Sequence, residues 1–276
     1  MKIISKEVIV DYAGIRIIKL SLISPEISRK AGAGQFVVVM PTEKGERIPL
    51  TIVDVDSHAG SISIIFQEAG LTTKVLGGLN VGDSLYALVG PLGHPTEIKN
   101  YGQVILVGGG VGIAEILPVA RALKQAGNQV TSILGAKNKD LLILESELKT
   151  TSDQIYIMTD DGSYGRKGFT TEMLAELLSK NKYDLIYSVG PIPMMQRVAE
   201  ASRKYNIKTL VSLNALMVDA TGMCGCCRVT VAGEVKFSCV DGPDFDGHGV
   251  NWEELQNRNK VYSVQEKHIC NLFPAS

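Results

Sequence analysis

The segment DATGMCGCCRVT, residues 219–230, places Cys224, Cys226 and Cys227 within four positions, in a chain with only five cysteines. Eleven residues separate Cys227 from Cys239, and four separate Asp219 from Cys224, so the pattern is D-x4-C-x2-C-x11-C. Thiolates are ligands for soft metals and iron–sulfur clusters, and a carboxylate is a harder donor that can complete such a set. Gly222 and Gly225 permit the tight backbone that wrapping a metal centre demands. From spacing alone three readings stand: an iron–sulfur centre, a structural zinc site completed by the carboxylate, or buried thiols without metal. Cys226 can exchange roles with Cys227, and Cys270 stands alone as a buried or free thiol.

The spacing C-x4-C-x2-C…C is that of plant-type [2Fe-2S] proteins, and Asp219 occupies the place of their first cysteine. A hairpin in RVTVAGEVKFSCV, turning at Ala232-Gly233, would return Cys239 to the loop.

A second pattern suits a phosphate. VILVGGGVGIAEILPVARAL sets Gly108, Gly109, Gly110 and Gly112 between a strand and a helix. Residues without side chains let the main chain approach a pyrophosphate, and the helix start offers N–H donors. The match to G-x-G-x-x-G is imperfect, with Ile113 at the last position, and a tight structural turn is the competing reading. No Asp or Glu follows the next strand at the position that would meet a ribose. LGAKNKD offers Lys137 and Lys139 instead, so the pattern does not choose between NAD and NADP. Asp160 and Asp161 in MTDDGSYGRKG, and the run SVGPIPMM, end later strands where open α/β sheets bind ligands. Turn and cap chemistry explains the aspartates equally well. In RIPLTI, residues 47–52, Arg47 can pair with phosphate while the main chain of Leu50 and Thr51 meets a flat ring. EAGLTTKVL adds a glycine, two hydroxyls and a helix start suited to a second phosphate.

The elements that must position these residues fall into three zones: 1–100, 101–215 and 216–276. The first reads as short alternating strands, with a turn at Ala13-Gly14, a short helix over 72–79 and the punctuation of an antiparallel barrel. The second alternates strand and helix, which argues a parallel sheet of βαβ units. The third holds the cysteine hairpin and a turn-rich polar tail. The chain has 276 residues, 45% hydrophobic and 21% charged, with a net charge of -1. That balance gives no case for nucleic acid or an anionic membrane, and no apolar run spans a bilayer. We read a cytoplasmic protein, whose clustered thiols more often bind metal than form disulfides.

A barrel, then a nucleotide-type domain, then a plant-type cluster loop resembles the ferredoxin-NADP reductase superfamily. RIPLTI, Gly90-Pro91-Leu92-Gly93, VGGGVGIA, DDGSYGRKG and VGPIPMM look like the electron-transfer subunits of dihydroorotate dehydrogenase B and their relatives. The run SLNALMVDATGMCGCCRVTVAGEVKFSCVDGPDFDGH is similar to the small subunits of NADH-dependent reduced ferredoxin:NADP oxidoreductases, the sulfide dehydrogenase type. The resemblance covers essentially the whole chain. It implies FAD in the barrel, NAD(H) on the α/β domain and one [2Fe-2S] cluster held by Asp219, Cys224, Cys227 and Cys239. It implies cofactor contacts from Arg47, Pro49, Leu50, Thr51, Ile64, Phe66, Gly70, Thr72 and Thr73, and from Gly109, Gly110, Gly112, Ile113, Asp160, Asp161, Gly190, Pro191 and Met194. The dihydroorotate branch has a cysteine where Asp219 stands. Ser188 replaces a cysteine common in relatives, beside the nicotinamide position, and Cys226 stands where glycine is expected.

The function implied is electron transfer between NADH, FAD and the cluster. The partner is a larger subunit carrying a second flavin and [4Fe-4S] clusters, in a heterodimer that couples ferredoxin, NADH and NADP by electron bifurcation. No general acid or base is expected of this chain; His58, His94, His248 and His268 are scattered. Two alternatives are the electron-transfer subunit of dihydroorotate oxidation and a non-enzymatic nucleotide-binding module with structural zinc.

Overall fold

Strand-forming runs broken by glycine, proline and asparagine build the first sheet. The computed structural model describes residues 1–272, and the side chains of residues 267 and 270–272, Cys270 among them, lie outside what it describes. Strands β1 (Ile3–Tyr12) and β2 (Ile15–Ile23) form a hairpin. Its turn residues Ala13 and Gly14 have φ of 49° and 78°, as a two-residue primed turn requires. After helix α1 (Pro25–Lys30) come β3 (Phe36–Met40), β4 (Ile48–Asp56), β5 (Ser61–Gln67), helix α2 (Leu71–Gly78) and β6 (Ala87–Leu92). The six strands pair antiparallel in the order β1-β2-β5-β4-β3-β6 around a core that includes Ile18, Leu20, Val37, Ile62, Ile64 and Phe66.

The expected barrel does not close by a strand ladder. β1 and β6 are the edges, and what joins them is a Lys2–Ser84 bridge with main-chain bonds between Ile3 and residues 82 and 83, each 2.9 Å. Just before this bridge the Asn80 N–H donates to the Asp83 carboxylate at 2.8 Å, closing a turn.

The second sheet begins with β7 (Gln103–Gly109), α3 (Gly112–Gln125) and β8 (Gln129–Ala136). It continues through α4 (Glu145–Thr151), β9 (Gln154–Thr159), the two-residue β10 (Arg166–Lys167), α5 (Thr170–Lys180), β11 (Leu185–Val189), α6 (Ile192–Arg203) and β12 (Lys208–Ser212). These strands are parallel in the order β10-β9-β8-β7-β11-β12. The order reverses between β7 and β11. The loops leaving those two strands therefore diverge at the sheet's C-terminal edge, the crevice where open α/β sheets bind ligands.

The last segment contains the hairpin β13 (Arg228–Val231) and β14 (Glu234–Phe237), turning at Ala232-Gly233 with φ of 51° and 83°. It also contributes a strand to the second sheet, β15 (Asp244–Asp246), antiparallel to β12. The tail read as turn-rich holds two helices, α7 (Trp252–Arg258) and α8 (Ser263–Leu272). Asn251 caps α7 by accepting from the Glu254 N–H at 3.1 Å. One apolar cluster joins all three parts: Phe36 and Val38 of β3, Val211 of β12, and Cys227, Val229, Cys239 and Phe245.

Candidate functional site

Three structural features bring the candidate residues together: a cleft against the first sheet, a cavity at the switch point, and the cysteine loop.

The cleft is supplied by Pro49, Leu50 and Thr51 of β4, Ile65 and Phe66 of β5, Thr73 of α2, Val111 and Glu115 at the start of α3, and Ser212, Leu213, Asn214 and Met217 after β12. Its walls mix apolar side chains such as Phe36, Ile65 and Leu213 with polar groups such as Thr51, Gln67 and Asn214, which suits a flat heteroaromatic ring edged by hydrogen-bonding atoms. Pro49, Leu50, Thr51, Phe66 and Thr73 are thus gathered in one place. Ile64 is not among them. It is fully buried in the sheet's own core and Ile65 takes the wall, because the strand period of two sends 62 and 64 inward and 65 outward. Gly70 starts α2, donating its N–H to the Thr73 hydroxyl at 2.9 Å, while the Thr72 hydroxyl is held by the Glu46 carboxylate at 3.0 Å.

Glu115 stands out in the cleft. Burial pushes its carboxyl up to about 7; the Thr51 hydroxyl opposes the shift and the Asp244 carboxylate adds to it. Asp244 is itself raised by burial, while the hydroxyls of Thr96 (2.6 Å), Tyr187 (3.0 Å) and Ser212 donate to it. Glu115 reads in sequence as an ordinary residue of an amphipathic helix, so only the tertiary packing reveals it.

The cavity, about 440 Å³, lies at the switch point and is lined by Gly109, Gly110, Lys137, Asp160, Phe169, Thr170, Thr171, Pro191, Pro193, Met194 and Arg197 among others. Two helices, α5 and α6, begin at this cavity, and neither has a side-chain cap at its N-terminus: the cap positions are Phe169 and Pro191. Their positive ends, with Lys137 and Arg197, make a cradle for an anionic ligand such as a pyrophosphate. Lys137 was visible in the sequence; the α5 start and Arg197 were not, since no motif marks them.

Gly109 and Gly110 line this cavity, but Gly112 and Ile113 do not. A Cβ on Gly112 would lie 2.6 Å from the Val189 carbonyl oxygen, so that glycine serves the contact between α3 and β11. Gly110, with φ of 58° and nothing within 4 Å, is open toward the cavity. Asp160 lines the wall, whereas Asp161 closes its own turn by accepting from the Ser163 N–H (2.9 Å) and hydroxyl (2.7 Å). Gly190 packs against Gly109 and Met194 behind the wall. Ser188, expected beside a nicotinamide, lines neither space. It is fully buried within β11 and its hydroxyl has no partner.

In the cysteine loop the Cys227 and Cys239 sulfurs are 3.2 Å apart and buried. Burial and the neighbouring Cys227 thiol push Cys239 up to about 12, so its proton stays until a cation replaces it. Cys224 is exposed; main-chain donors from Cys226 and Asp219 lower its pKa. Cys226 is half-buried beside Cys224, its thiol raised by burial, and its carbonyl accepts from Arg258 at 3.1 Å. The Asp219 carboxylate is engaged: Arg47 holds Oδ1 at 2.7 Å and the Thr221 hydroxyl donates to Oδ2. Arg47 thus reaches the cysteine loop from the loop before β4.

Among the described residues, no three His, Cys, Asp or Glu side chains converge on a point that one metal ion would occupy. The thiols lie as a buried Cys227–Cys239 pair, with Cys224 exposed and accepting from the Cys226 and Asp219 main chain. For Asp219 to serve as fourth ligand, its carboxylate has to exchange Arg47 or Thr221 for iron.

Residues 106–200 match the oxidoreductase NAD-binding domain, and residues 214–251 match the iron–sulfur cluster binding domain of dihydroorotate dehydrogenase B. A Thermotoga maritima protein, the homologue of the dihydroorotate dehydrogenase B (NAD(+)) electron transfer subunit, is 50% identical over 244 residues, covering 88% of this chain and 86% of that protein. A Methanopyrus kandleri protein named as a probable electron transfer subunit of the same enzyme is 34% identical, covering 80% and 81%. Among solved structures, an NADH-dependent reduced ferredoxin-NADP oxidoreductase studied for flavin-based electron bifurcation superposes with a TM-score of 0.92 and 45% identity, over 99% of this chain and 98% of that one. No helix of the described residues is long and apolar enough to cross a membrane.

Proposed function

Because the chain belongs to the family of dihydroorotate dehydrogenase B electron-transfer subunits and their homologues, we propose that it is the NADH-oxidising subunit of a bifurcating ferredoxin/NADH/NADP oxidoreductase. In this reading it works in the cytoplasm. It carries FAD in the cleft, NAD(H) at the switch-point cavity and a [2Fe-2S] cluster in the cysteine loop. Residues 1–100, 101–215 and 216–276 act as the flavin, nucleotide and cluster domains. The larger partner holds a second flavin and [4Fe-4S] clusters, and ferredoxin meets the complex rather than this chain alone.

One observation carries the reading. Ser212, Leu213, Asn214 and Met217 line the cleft, and Asp219 starts the cysteine loop only two residues after Met217. Two residues of chain reach at most about 7 Å. The ring-sized space and the metal-type loop are therefore neighbours, as single-electron exchange between a flavin and a cluster requires.

Each part of the chain has a task. The α5 and α6 starts, with Gly110, Lys137 and Arg197, bind the dinucleotide phosphates. Pro49, Leu50 and Thr51 hold the flavin ring with their main chain, and Thr73 with the α2 start meets its phosphate end. The apolar walls of Phe36, Ile65 and Leu213 keep water from the ring. When bound, the flavin accepts two electrons at once and releases them singly.

A second reading is favoured by the matched iron–sulfur domain: the electron-transfer subunit for dihydroorotate oxidation. Asp219 speaks against it, since that branch has a cysteine there. Anaerobic purification with the neighbouring gene products tests both. The expected result is FAD, iron and acid-labile sulfide in this chain, with a larger flavin and iron–sulfur subunit retained. A dihydroorotate-oxidising barrel flavoprotein in its place supports the second reading. Absence of iron and sulfide refutes both.

A further inference from the structure

We propose that Glu115 is the proton acceptor of the flavin cleft, taking up the proton left behind when the electrons of an NADH hydride leave through the metal centre. The inference rests on the flavin reading of the cleft given above and goes beyond it, since that reading asks only for electron transfer.

The need for such a group follows from stoichiometry. A hydride carries two electrons and one proton, so NADH becomes NAD(+) plus one proton plus two electrons. An iron–sulfur centre takes electrons one at a time and carries no proton away with them. Each NADH oxidised by this route therefore leaves one proton in the cleft, and the reverse reaction draws one from it. A fixed ionisable group beside the reacting centre is what exchanges such a proton with solvent.

Among the described residues that line the cleft, Glu115 is the only side chain that ionises near neutrality; the other polar walls are hydroxyls and amides from Thr51, Gln67, Thr73, Ser212 and Asn214. It lies in the first turn of α3, partly exposed toward the open space. Asp244 of β15 is the charged group that acts on it. The other charged groups of α3 are paired elsewhere: Arg121 with Asp54 of β4 at 2.7 Å and Lys124 with Asp153 before β9. Among the described residues, no ion pair holds Glu115 in its charged form. Burial and the Asp244 charge bring its carboxyl up to about 7, where gain and loss of a proton are nearly balanced. Ser212 lines the same cleft and donates to Asp244, so the carboxyl has a polar neighbour on the inner side as well.

The test uses the protein carrying FAD and its metal centre, as wild type and as Glu115→Gln and Glu115→Asp. Infrared difference spectra of the NADH-reduced against the oxidised protein should contain a carboxyl C=O band in the wild type. That band should shift in heavy water and on labelling with isotopic glutamate, be absent in Glu115→Gln and persist in Glu115→Asp. In single-turnover mixing, Glu115→Gln should slow the departure of electrons to a one-electron acceptor by roughly 10²-fold and flatten its pH dependence around neutrality. If wild-type protein binds FAD but shows no glutamate band, or if FAD-loaded Glu115→Gln matches the wild type in rate and pH profile, the proposal is overturned. If the wild type binds no FAD, the flavin reading itself fails, and that outcome is told apart by the flavin content measured first.

Discussion

Two glycines separated by one residue should respond in opposite ways to the same substitution. A methyl group added at Gly112 would lie 2.6 Å from the Val189 carbonyl oxygen, 2.8 Å from its carbon and 3.0 Å from the Gly190 Cα. All three are main-chain atoms at the end of β11, a strand locked to β7 by the Val189–Gly108 pairing. No side chain can rotate away, so Gly112→Ala must lift the start of α3 off β11. Overpacking of this kind costs about 1–3 kcal/mol, partly offset by up to about 1 kcal/mol from replacing glycine in a helix. A net loss of about 1–2 kcal/mol lowers the unfolding midpoint by roughly 2–8 °C in a chain of this size. Gly110→Ala meets no atom within 4 Å, and its cost is that of placing alanine at a φ of 58°, roughly 1 kcal/mol. Its methyl group would enter the cavity at which α5 and α6 begin.

The two variants are separated by thermal unfolding together with NADH binding followed by fluorescence. Gly112→Ala should be the less stable, with binding lost only as structure is lost. Gly110→Ala should lower the unfolding midpoint by only about 2–4 °C, while the NADH dissociation constant rises by roughly tenfold, or about 1.4 kcal/mol. If Gly112→Ala kept its unfolding midpoint, the contact between α3 and β11 would not be the reason for glycine there. If Gly110→Ala bound NADH normally, the open face of the turn would not be where the phosphates lie.

Three further outcomes are expected. The Glu115 carboxyl sits at about 7 in the folded chain, against 4.5 for the ordinary group. The unfolded chain therefore gives up this proton first, and stability falls as pH rises from about 4.5 to about 7. The loss is at most about 3 kcal/mol, reduced because the group faces an open cleft. Glu115→Gln should accordingly raise the urea midpoint of the apoprotein above pH 7 and leave it unchanged below about pH 4.5; a pH-independent effect would contradict this. Asp219→Cys should retain iron but shift the potential of the metal centre, measured by redox titration, and an unchanged potential would argue against carboxylate ligation. Cys226→Ser should keep its iron and acid-labile sulfide, whereas Cys227→Ser should lose them, because Cys227 is the residue buried against Cys239; the reverse pattern would exchange the two assignments.

Local chemistry was the legible part of this chain. The primed turns at Ala13-Gly14 and Ala232-Gly233, the strand–helix alternation from Gln103 to Ser212 and the glycines before α3 are all set by nearest neighbours, and the structure contains each of them. What the sequence hid is non-local. β15 joins the sheet beside β12 after a long excursion through the cysteine hairpin, and its three residues DFD carry no strand signal of their own. Helix α7 was missed although Asn251 and Glu254 form a readable cap. The Arg47–Asp219 pair spans 172 positions, and both residues were read as ligands of something else. Ser188 and Ile64 sit in strands whose faces are decided by what packs on them, so a motif position could not say which way each side chain points.

The same non-local packing explains how one chain can send electrons and protons along different routes. The residues that follow β12 form one wall of the cleft and lead within two positions to Asp219, so the route toward the cysteines is built from the 212–219 segment. Glu115 comes from α3 and looks inward to Asp244, which β15 carries and which Thr96, Tyr187 and Ser212 hold from three other parts of the chain. A carboxyl raised by burial beside a second carboxyl raised the same way is costly to folding, and nothing in the packing of α3 demands it. Ile113, Ala114, Ile116 and Leu117 already fill the core at that turn. A glutamine at 115 would fit the same space without the charge. The presence of an ionisable group there makes sense if the cleft has a proton to manage, and it predicts that substitutions on α3 and on the 212–219 segment will impair different halves of one turnover.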